Sequence, residues 1–202
     1  MNENEELVLG FDIRVEDQIG ANNWSAKRRN DFLLRTDVLQ PYSVDTTVWP
    51  SILDSNRRPN ACIGHQDLWS DLPGLRSFSS GELQSGVGGQ LIAITLSLEK
   101  SSSEFTQGQM DVPPTIPAIR DNSWQAFGYD VADRWLLSGL SNCGFLPGID
   151  DVTNLRTQWN GKLNDHHLFD APEDARAFQS LSISRAAEHS PFFIFGIWWV
   201  QI

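Results

Sequence analysis

The sequence predicts an α+β fold, in which a mixed or mostly antiparallel sheet is packed against helices and connected by long loops. Strand-like apolar segments stand at the two ends and in the middle of the chain, and helical patterns lie between them. No succession of strand, glycine-rich phosphate loop and helix is present, so a doubly wound nucleotide fold is disfavoured. With 202 residues, of which 40% are hydrophobic, the chain can bury a core, and we expect a single domain over residues 1–202.

The most strongly patterned strand is at the carboxyl end. Residues 192–200 are aromatic or mostly β-branched, without polar alternation, which suits a strand covered on both faces. A helix needs about 20 apolar residues to cross a bilayer, and this stretch is shorter and contains Gly196. We therefore expect a central strand of the sheet and not a membrane anchor. An exposed docking tail is the alternative.

Two further strands are predicted, over residues 8–13 and 91–98, from their partial alternation of apolar and polar residues. Residues 24–39 fit a helix or a strand equally well. Residues 40–64 contain three prolines among small polar residues, which indicates a long surface loop. Residues 100–122 are typical of an internal excursion or linker. We find no internal repeat.

A helix is predicted to open at Asp130. This aspartate stands where an N-cap belongs, with Asp133 three residues later in the manner of a capping box, and Gly139 and Gly144 supply the stop. The spacing i, i+3, i+4 and i+8 places four apolar side chains on one buried face. These residues are Ala132, Trp135, Leu136 and Leu140.

Another helix is predicted after Asp170, which forms a second capping-box pair with Glu173 and is followed by Pro172 in the first turn. Its expected buried residues are Ala175, Phe178 and Leu181. A short helix over residues 66–72 is predicted to stop at Pro73 and Gly74, before a run rich in glycine and serine.

The charge of the chain limits the class of partner. The formal net charge is −11 and the pI is near 4.6. Such a field repels nucleic acid and anionic membranes and attracts a basic protein, although acidity also serves solubility alone. Two cysteines without paired spacing indicate neither a disulfide framework nor a zinc site. The acidic, polar start lacks the features of a secretory signal, so we expect a cytoplasmic protein.

No catalytic signature is found, and no cofactor is expected. The best metal candidate is the run Asp165, His166 and His167, because carboxylates and imidazoles are suitable ligands. Neighbouring histidines point in different directions on a strand or a helix, and a solvated turn explains them equally well. Glu188, His189 and Ser190 are consecutive and cannot converge as a catalytic triad must.

An acidic segment is the candidate partner-binding region. Residues 145–175 contain six acidic side chains against two basic ones. Turn and N-cap roles explain some of the acids without any function. The candidate partner-binding residues are Asp150, Asp151, Asp165, Asp170 and Asp174.

Residues 124–143, WQAFGYDVADRWLLSGLSNC, and 188–198, EHSPFFIFGIW, resemble small bacterial proteins that occur as immunity partners of secreted toxins. The resemblance implies a cytosolic protein that neutralises a cognate toxin by binding it, and it carries over no catalytic residue. Acidic side chains would then meet a basic cleft, and an exposed aromatic would anchor the contact. The alternatives are a metal-assisted hydrolase using Asp165, His166 and His167, and a structural subunit of a protein complex.

Overall fold

The fold is a four-stranded sheet with helices, which confirms the predicted α+β class. The structure, a computed structural model, describes residues 4–14, 68–83, 90–99, 115–116, 120–142, 158–159, 161–166 and 168–201. In chain order its elements are β1 (Asn4–Arg14), α1 (Leu72–Leu83), β2 (Gln90–Glu99), β3 (Gln125–Asp133), α2 (Gly139–Asn142), α3 (Pro172–Arg185), a 3-10 turn (Ala187–His189) and β4 (Phe192–Trp199). None of the helices among these residues combines the length and the apolar character needed to cross a bilayer.

The strands are ordered β1-β2-β4-β3, and every neighbouring pair is antiparallel. The carboxyl-terminal strand β4 therefore lies inside the sheet, as predicted, and seven of its eight residues are buried. The alternative of an exposed docking tail is wrong. Burying one large apolar side chain stabilises a fold by about 1.5–3 kcal/mol, and β4 buries such side chains on both faces.

Both faces of the sheet are packed. On one face, α1 contributes Leu75 to a cluster with Trp198, and α3 contributes Phe178 to a second cluster with Ile194. On the opposite face a third cluster contains Phe195 and other alternate residues of β2 and β4. Because successive side chains of a strand point to opposite faces, the uniform apolar sequence of β4 supplies all three clusters.

The described elements form two equivalent units. Unit one comprises β1, α1 and β2, and unit two comprises β3, α3 and β4. In each unit the first strand pairs with the last and carries a register shift immediately before a glycine. The shift lies between Val8 and Gly10 in β1 and between Ala126 and Gly128 in β3.

Each unit also closes the outer edge of its first strand in the same way. Phe11 exchanges two backbone hydrogen bonds of 2.9 and 2.8 Å with Trp69, which lies just before α1. Tyr129 exchanges two bonds of 2.8 and 2.9 Å with Phe169, which lies just before α3. A strand edge closed in this manner offers fewer free backbone groups to other chains.

The two glycines allow these edge segments to approach. A Cβ on Gly10 would lie 2.6 Å from the Cβ of Leu68, and a Cβ on Gly128 would lie 2.7 Å from the Cβ of Leu168. Gly128 also has a φ of +141°, which strongly favours glycine. Both positions need glycine because a neighbouring backbone passes over the strand.

The two units meet at the centre of the sheet through antiparallel pairing of their last strands. Gly10 pairs with Ile94 and Gly128 pairs with Ile197, and these two isoleucines pair with each other across β2 and β4. The helices begin 100 residues apart, at Leu72 and Pro172. We find no internal repeat in the sequence, yet the two units share a backbone geometry, because only a few positions must satisfy that geometry.

The predicted helix from Asp130 is wrong. Residues 125–133 form β3, which pairs with β4 along its length, and the short helix α2 begins only at Gly139. The helical spacing of Trp135 and its neighbours is coincidental, since Leu136 has a φ of +62°, a value no right-handed helix contains. Pairing with a buried neighbouring strand overrides local propensity here.

Two other predicted boundaries are corrected. The short helix expected to stop at Pro73 begins at Leu72, so Pro73 lies in the first turn of α1, where a missing N–H costs little. The helix expected after Asp170 is confirmed as α3, but Ala171 is its N-cap and no side chain caps it. Residues 24–39 and 40–64, and most of 100–122, lie outside the described residues, and the single-domain count stays a prediction.

Candidate functional site

The candidate site lies along the outer edge of β3. Two loops close this edge: residues 163–170, which we call the acidic loop, and residues 133–138, which we call the Trp135 turn. Asn164 donates from Nδ2 to the carbonyl of Phe127 at 2.7 Å, and Phe169 follows with its pair of bonds to Tyr129. Farther along the strand, Asp133 donates its N–H to the Leu137 carbonyl at 3.1 Å. Both loops therefore flank one continuous strand edge.

Asn164 fixes the conformation of the acidic loop. Its Oδ1 accepts hydrogen bonds from the backbone N–H of His166 at 2.9 Å and of Leu168 at 3.1 Å. Its Nδ2 donates to Phe127 and also to Oδ1 of Asp170 at 2.8 Å. An asparagine that uses both its acceptor and its donors in this way is a turn-forming residue. The loop is thereby preorganised on the sheet edge.

Three of the predicted partner-binding residues are brought together by this loop and the start of α3. Asp165 and Asp170 are exposed, whereas Asp174 is partly buried and forms an ion pair with Lys162. Glu173 lies 3.7 Å from Arg176 within α3, and no side chain caps the start of this helix, so the predicted capping box is wrong. Of the other candidates, Asp150 and Asp151 lie outside the described residues.

The structure places His166 in a packing role. Its ring meets the edge of the Phe127 ring, with centroids 4.8 Å apart and planes at 68°. Among the described residues, no group of three or more histidine, cysteine, aspartate or glutamate side chains could hold a metal ion. His167, the other proposed ligand, lies outside the described residues.

The Trp135 turn is built around the carboxylate of Asp133. Its Oδ1 accepts from the backbone N–H of Trp135 at 2.8 Å and of Leu137 at 2.9 Å. Leu136 donates to the Asp133 carbonyl at 3.0 Å and adopts its positive φ of 62°. A non-glycine residue in this region costs of order 1–3 kcal/mol. The turn is thus strained and at the same time tightly held.

Asp133 is fully buried, and burial raises the pKa of its carboxyl, while the backbone bonds from Leu137 and Trp135 and the nearby His189 lower it. Its Oδ2 accepts no hydrogen bond among the described residues and lies 3.5 Å from Nδ1 of His189, which is too long for a strong hydrogen bond. A carboxylate behind a half-exposed imidazole is the arrangement that orients a general base. Here the carboxylate also organises the turn, which accounts for its position without chemistry.

Trp135 projects from this turn into solvent. Its exposed fraction is 53%, and Ile183 at 38% is the other exposed large hydrophobic among the described residues. The guanidinium carbon of Arg134 lies 5.3 Å from the centroid of the Trp135 ring, a distance at which a cation is attracted to the ring face. The sequence prediction placed Trp135 on a buried helical face and so missed it. Only the strand pairing of residues 125–133 identifies it as exposed.

A second polar group lies on the helix-bearing face of the sheet, between the clusters of α1 and α3. Oγ1 of Thr95 accepts from the indole N–H of Trp198 at 2.8 Å and donates to Oε2 of Glu6 at 3.0 Å. Arg120 lies 3.8 Å from the same carboxylate oxygen, and its guanidinium stacks 4.3 Å from the Trp198 ring centroid. Burial raises the pKa of Glu6, against the lowering effects of Thr95 and Arg120.

This polar group links the two units. Gly196 pairs with Thr95, and a Cβ on Gly196 would lie 2.7 Å from Nε1 of Trp198. The glycine therefore makes room for the indole to reach Thr95 across the strand. Since the hydroxyl of Thr95 joins groups of β1, β2 and β4, we assign the network to the stability of the unit interface.

Comparison with protein-family models, with curated proteins and with solved structures finds no match for this chain. The geometry of the β3 edge and the charge of the chain are therefore the features from which a function can be inferred.

Proposed function

We propose that the chain is a non-enzymatic cytoplasmic binding protein that neutralises a basic toxin domain by direct contact, as an immunity protein does. The proposal is supported by the net charge of −11 and by the acidic loop on the β3 edge. Fixed acidic side chains attract a basic partner over several ångströms and accelerate its encounter. A loop that is already ordered loses little conformational freedom on binding.

The observation that carries the proposal is the difference between the two units. The positions of unit one that correspond to Asp170, Glu173 and Asp174 are occupied by the uncharged residues Ser70, Pro73 and Gly74. Unit one nevertheless forms the same edge pairing and a helix of similar position. Unit one keeps one acid at its helix start, Asp71, whose carboxylate accepts from the N–H of Gly74 at 2.9 Å. The shared fold therefore does not require an acid at each of the three unit-two positions, although Asp174 is paired with Lys162 and Asp170 accepts from Asn164.

Two of these acids have a partial structural explanation. Glu173 and Asp174 lie in the first turn of α3, where negative charge interacts favourably with the helix dipole by about 0.3–1 kcal/mol. Asp165 and Asp170 precede the helix and are exposed. We therefore assign the binding role chiefly to these two aspartates.

The proposal is tested with the protein encoded by the gene adjacent to this chain's gene. We expect its carboxyl-terminal domain to be basic, to be toxic when expressed in the cytoplasm, and to bind this chain in purified form. Growth should be restored when the two are expressed together. Absence of binding and of protection would contradict the proposal.

A charge variant makes the test specific. The double variant D165N/D170N retains a side-chain acceptor for Asn164 at position 170 but removes two exposed charges. An exposed charge pair is worth about 0.2–1 kcal/mol, so we expect association to slow by several-fold up to about tenfold at low salt. The matched control is D121N, because Asp121 is exposed, belongs to neither the acidic loop nor the Trp135 turn, and interacts electrostatically with Arg76 of α1. Equal effects of both variants would exclude a local role for the acidic loop.

A further inference from the structure

We infer that Trp135 is the anchor residue by which this chain holds a basic protein domain, inserted into an apolar pocket of that partner while the acidic loop meets basic residues beside it. The inference rests on the proposed function and adds to it the place and the chemistry of the contact. Tryptophan is among the side chains that most often dominate protein interfaces. With 53% of its surface exposed, Trp135 has a large apolar area that the described fold leaves uncovered.

The turn that presents Trp135 has two locally unfavourable features, although the hydrogen bonds accepted by Asp133 outweigh the cost of burying its carboxylate. Leu136 adopts a positive φ, and the carboxylate of Asp133 is fully buried with Oδ2 accepting no hydrogen bond among the described residues. Natural proteins retain such local costs mainly where function requires them. Both features fix the backbone conformation that exposes Trp135 to solvent.

Unit one gives an internal comparison. Counting from the equivalent glycines, the position that corresponds to Asp133 in unit one is Val15. A buried carboxylate at this position is therefore particular to unit two. The fold shared by the two units does not require a carboxylate at this position. We therefore explain the Asp133 carboxylate by the turn that it organises.

Trp135 and the acidic loop are close enough for one partner to contact both. The acidic loop pairs with β3 at Tyr129, and the Trp135 turn pairs with it at Ala132. Three residues of an extended strand span about 10 Å, which is well within an interface of about 800 Å² per partner. Charge complementarity with the exposed Asp165 and Asp170 specifies a basic partner surface around the apolar pocket.

Arg134 has a defined part in this arrangement. Its guanidinium lies against one face of the Trp135 ring, which restricts the orientation of the indole before binding. The opposite face and the outer edge of the ring are then the surfaces that enter the partner. An aromatic anchor with a fixed orientation loses little side-chain entropy on binding.

The test uses the full chain and the basic carboxyl-terminal domain encoded by the adjacent gene. We expect W135A to weaken binding about 30-fold, mainly through faster dissociation, while the salt dependence of association stays as in the wild type. The control is I183A, which removes the other exposed large hydrophobic, on α3, and should bind as the wild type does. Because Trp135 is exposed, W135A should unfold at the wild-type urea concentration.

The outcomes separate the two proposals. If the wild type binds and W135A binds equally well, the anchor role is overturned and the proposed function stands. If the wild type does not bind, the proposed function fails and the anchor role fails with it. A W135F variant that retains most of the affinity would support an apolar pocket in the partner. A W135F variant that loses as much affinity as W135A would contradict a pocket that accepts any aromatic ring.

Discussion

Replacing Asp133 tests whether its carboxylate holds the Trp135 turn. D133A removes the acceptor of two backbone hydrogen bonds, of 2.8 and 2.9 Å. A hydrogen bond to a charged group contributes about 1.5–3 kcal/mol, so the loss is at least about 3 kcal/mol. Removing the buried Oδ2, which accepts no hydrogen bond among the described residues, offsets about 1 kcal/mol of this loss. We expect D133A to lower the free energy of unfolding by about 2 kcal/mol.

The matched control is D133N. Asparagine keeps an acceptor at Oδ1 for the two backbone N–H groups, and its amide can donate toward Nδ1 of His189, where the carboxylate oxygen Oδ2 now lies. We therefore expect D133N to stay within about 1 kcal/mol of the wild type. The measurement is urea-induced unfolding followed by far-ultraviolet circular dichroism. The slope of the unfolding free energy against urea concentration should be the same for all three proteins. Equal stability of D133A and D133N would refute the assigned role of the carboxylate oxygen.

The pH dependence of stability gives a second test of Asp133. Its folded-state pKa is raised above the ordinary value of 3.8, so folding favours the protonated form. The corresponding stability is present below pH 3.8 and is lost as the pH rises through the raised pKa. Glu6, whose pKa is also raised, adds a change of the same sign. The difference in stability between the wild type and D133N at each pH isolates the contribution of Asp133. If the two proteins show the same pH dependence of stability, the raised pKa of Asp133 is contradicted.

Further predictions concern the repeat, the acidic loop and the metal alternative. G128A should lower stability by about 3 kcal/mol, because a Cβ would strain the positive φ and meet the backbone oxygen of Phe169 at 2.8 Å. G10A should lower stability by about 1–3 kcal/mol through overpacking alone. Urea unfolding that shows neither loss would contradict the equivalence of the units. N164A should cost about 2–3 kcal/mol and increase amide hydrogen exchange in the acidic loop, whereas unchanged exchange would show that Asn164 does not order it. Protein purified without a histidine tag should contain no stoichiometric zinc, manganese or iron, since His166 packs on Phe127; a stoichiometric metal would favour the hydrolase alternative.

The strongest sequence signals correctly predicted much of the sheet. The uniform apolar sequence of β4 identified a strand buried on both faces, and residues 8–13 and 91–98 were recognised within β1 and β2. The helix α3 was predicted with its buried Ala175 and Phe178. These elements were predictable because each has its own periodicity, and burial in the folded state agrees with that local pattern.

The elements that were missed depend on contacts distant in sequence. β3 contains Gly128, and its identity as a strand depends on pairing with β4 some 65 residues later. Its apolar residues also fit helical spacing by coincidence, so local pattern favoured the wrong structure. The burial of Asp133 accompanies that pairing, and the exposure of Trp135 depends in addition on the turn that follows β3. The candidate site was therefore only partly predictable: its acids were predicted, whereas Trp135 was predicted to be buried and the role of Asn164 was not identified.

The repeat was missed for a related reason. Each unit requires a glycine where a neighbouring segment crosses the first strand, followed by an aromatic residue that pairs with that segment. Most other positions require only an apolar residue of suitable size. Such weak constraints leave little identity between units, although the segments from Gly10 and from Gly128 both continue with an aromatic residue, an aspartate and a β-branched residue.

The central claim is that the outer edge of β3 in unit two is the surface that holds a basic protein domain. The most direct measurement is backbone amide hydrogen exchange of the full chain, with and without the proposed partner, the protein encoded by the adjacent gene. We predict slower exchange on binding in residues 134–137 and 163–170, with little change in α1. Protection confined to unit one, or no protection anywhere in the chain, would contradict the claim.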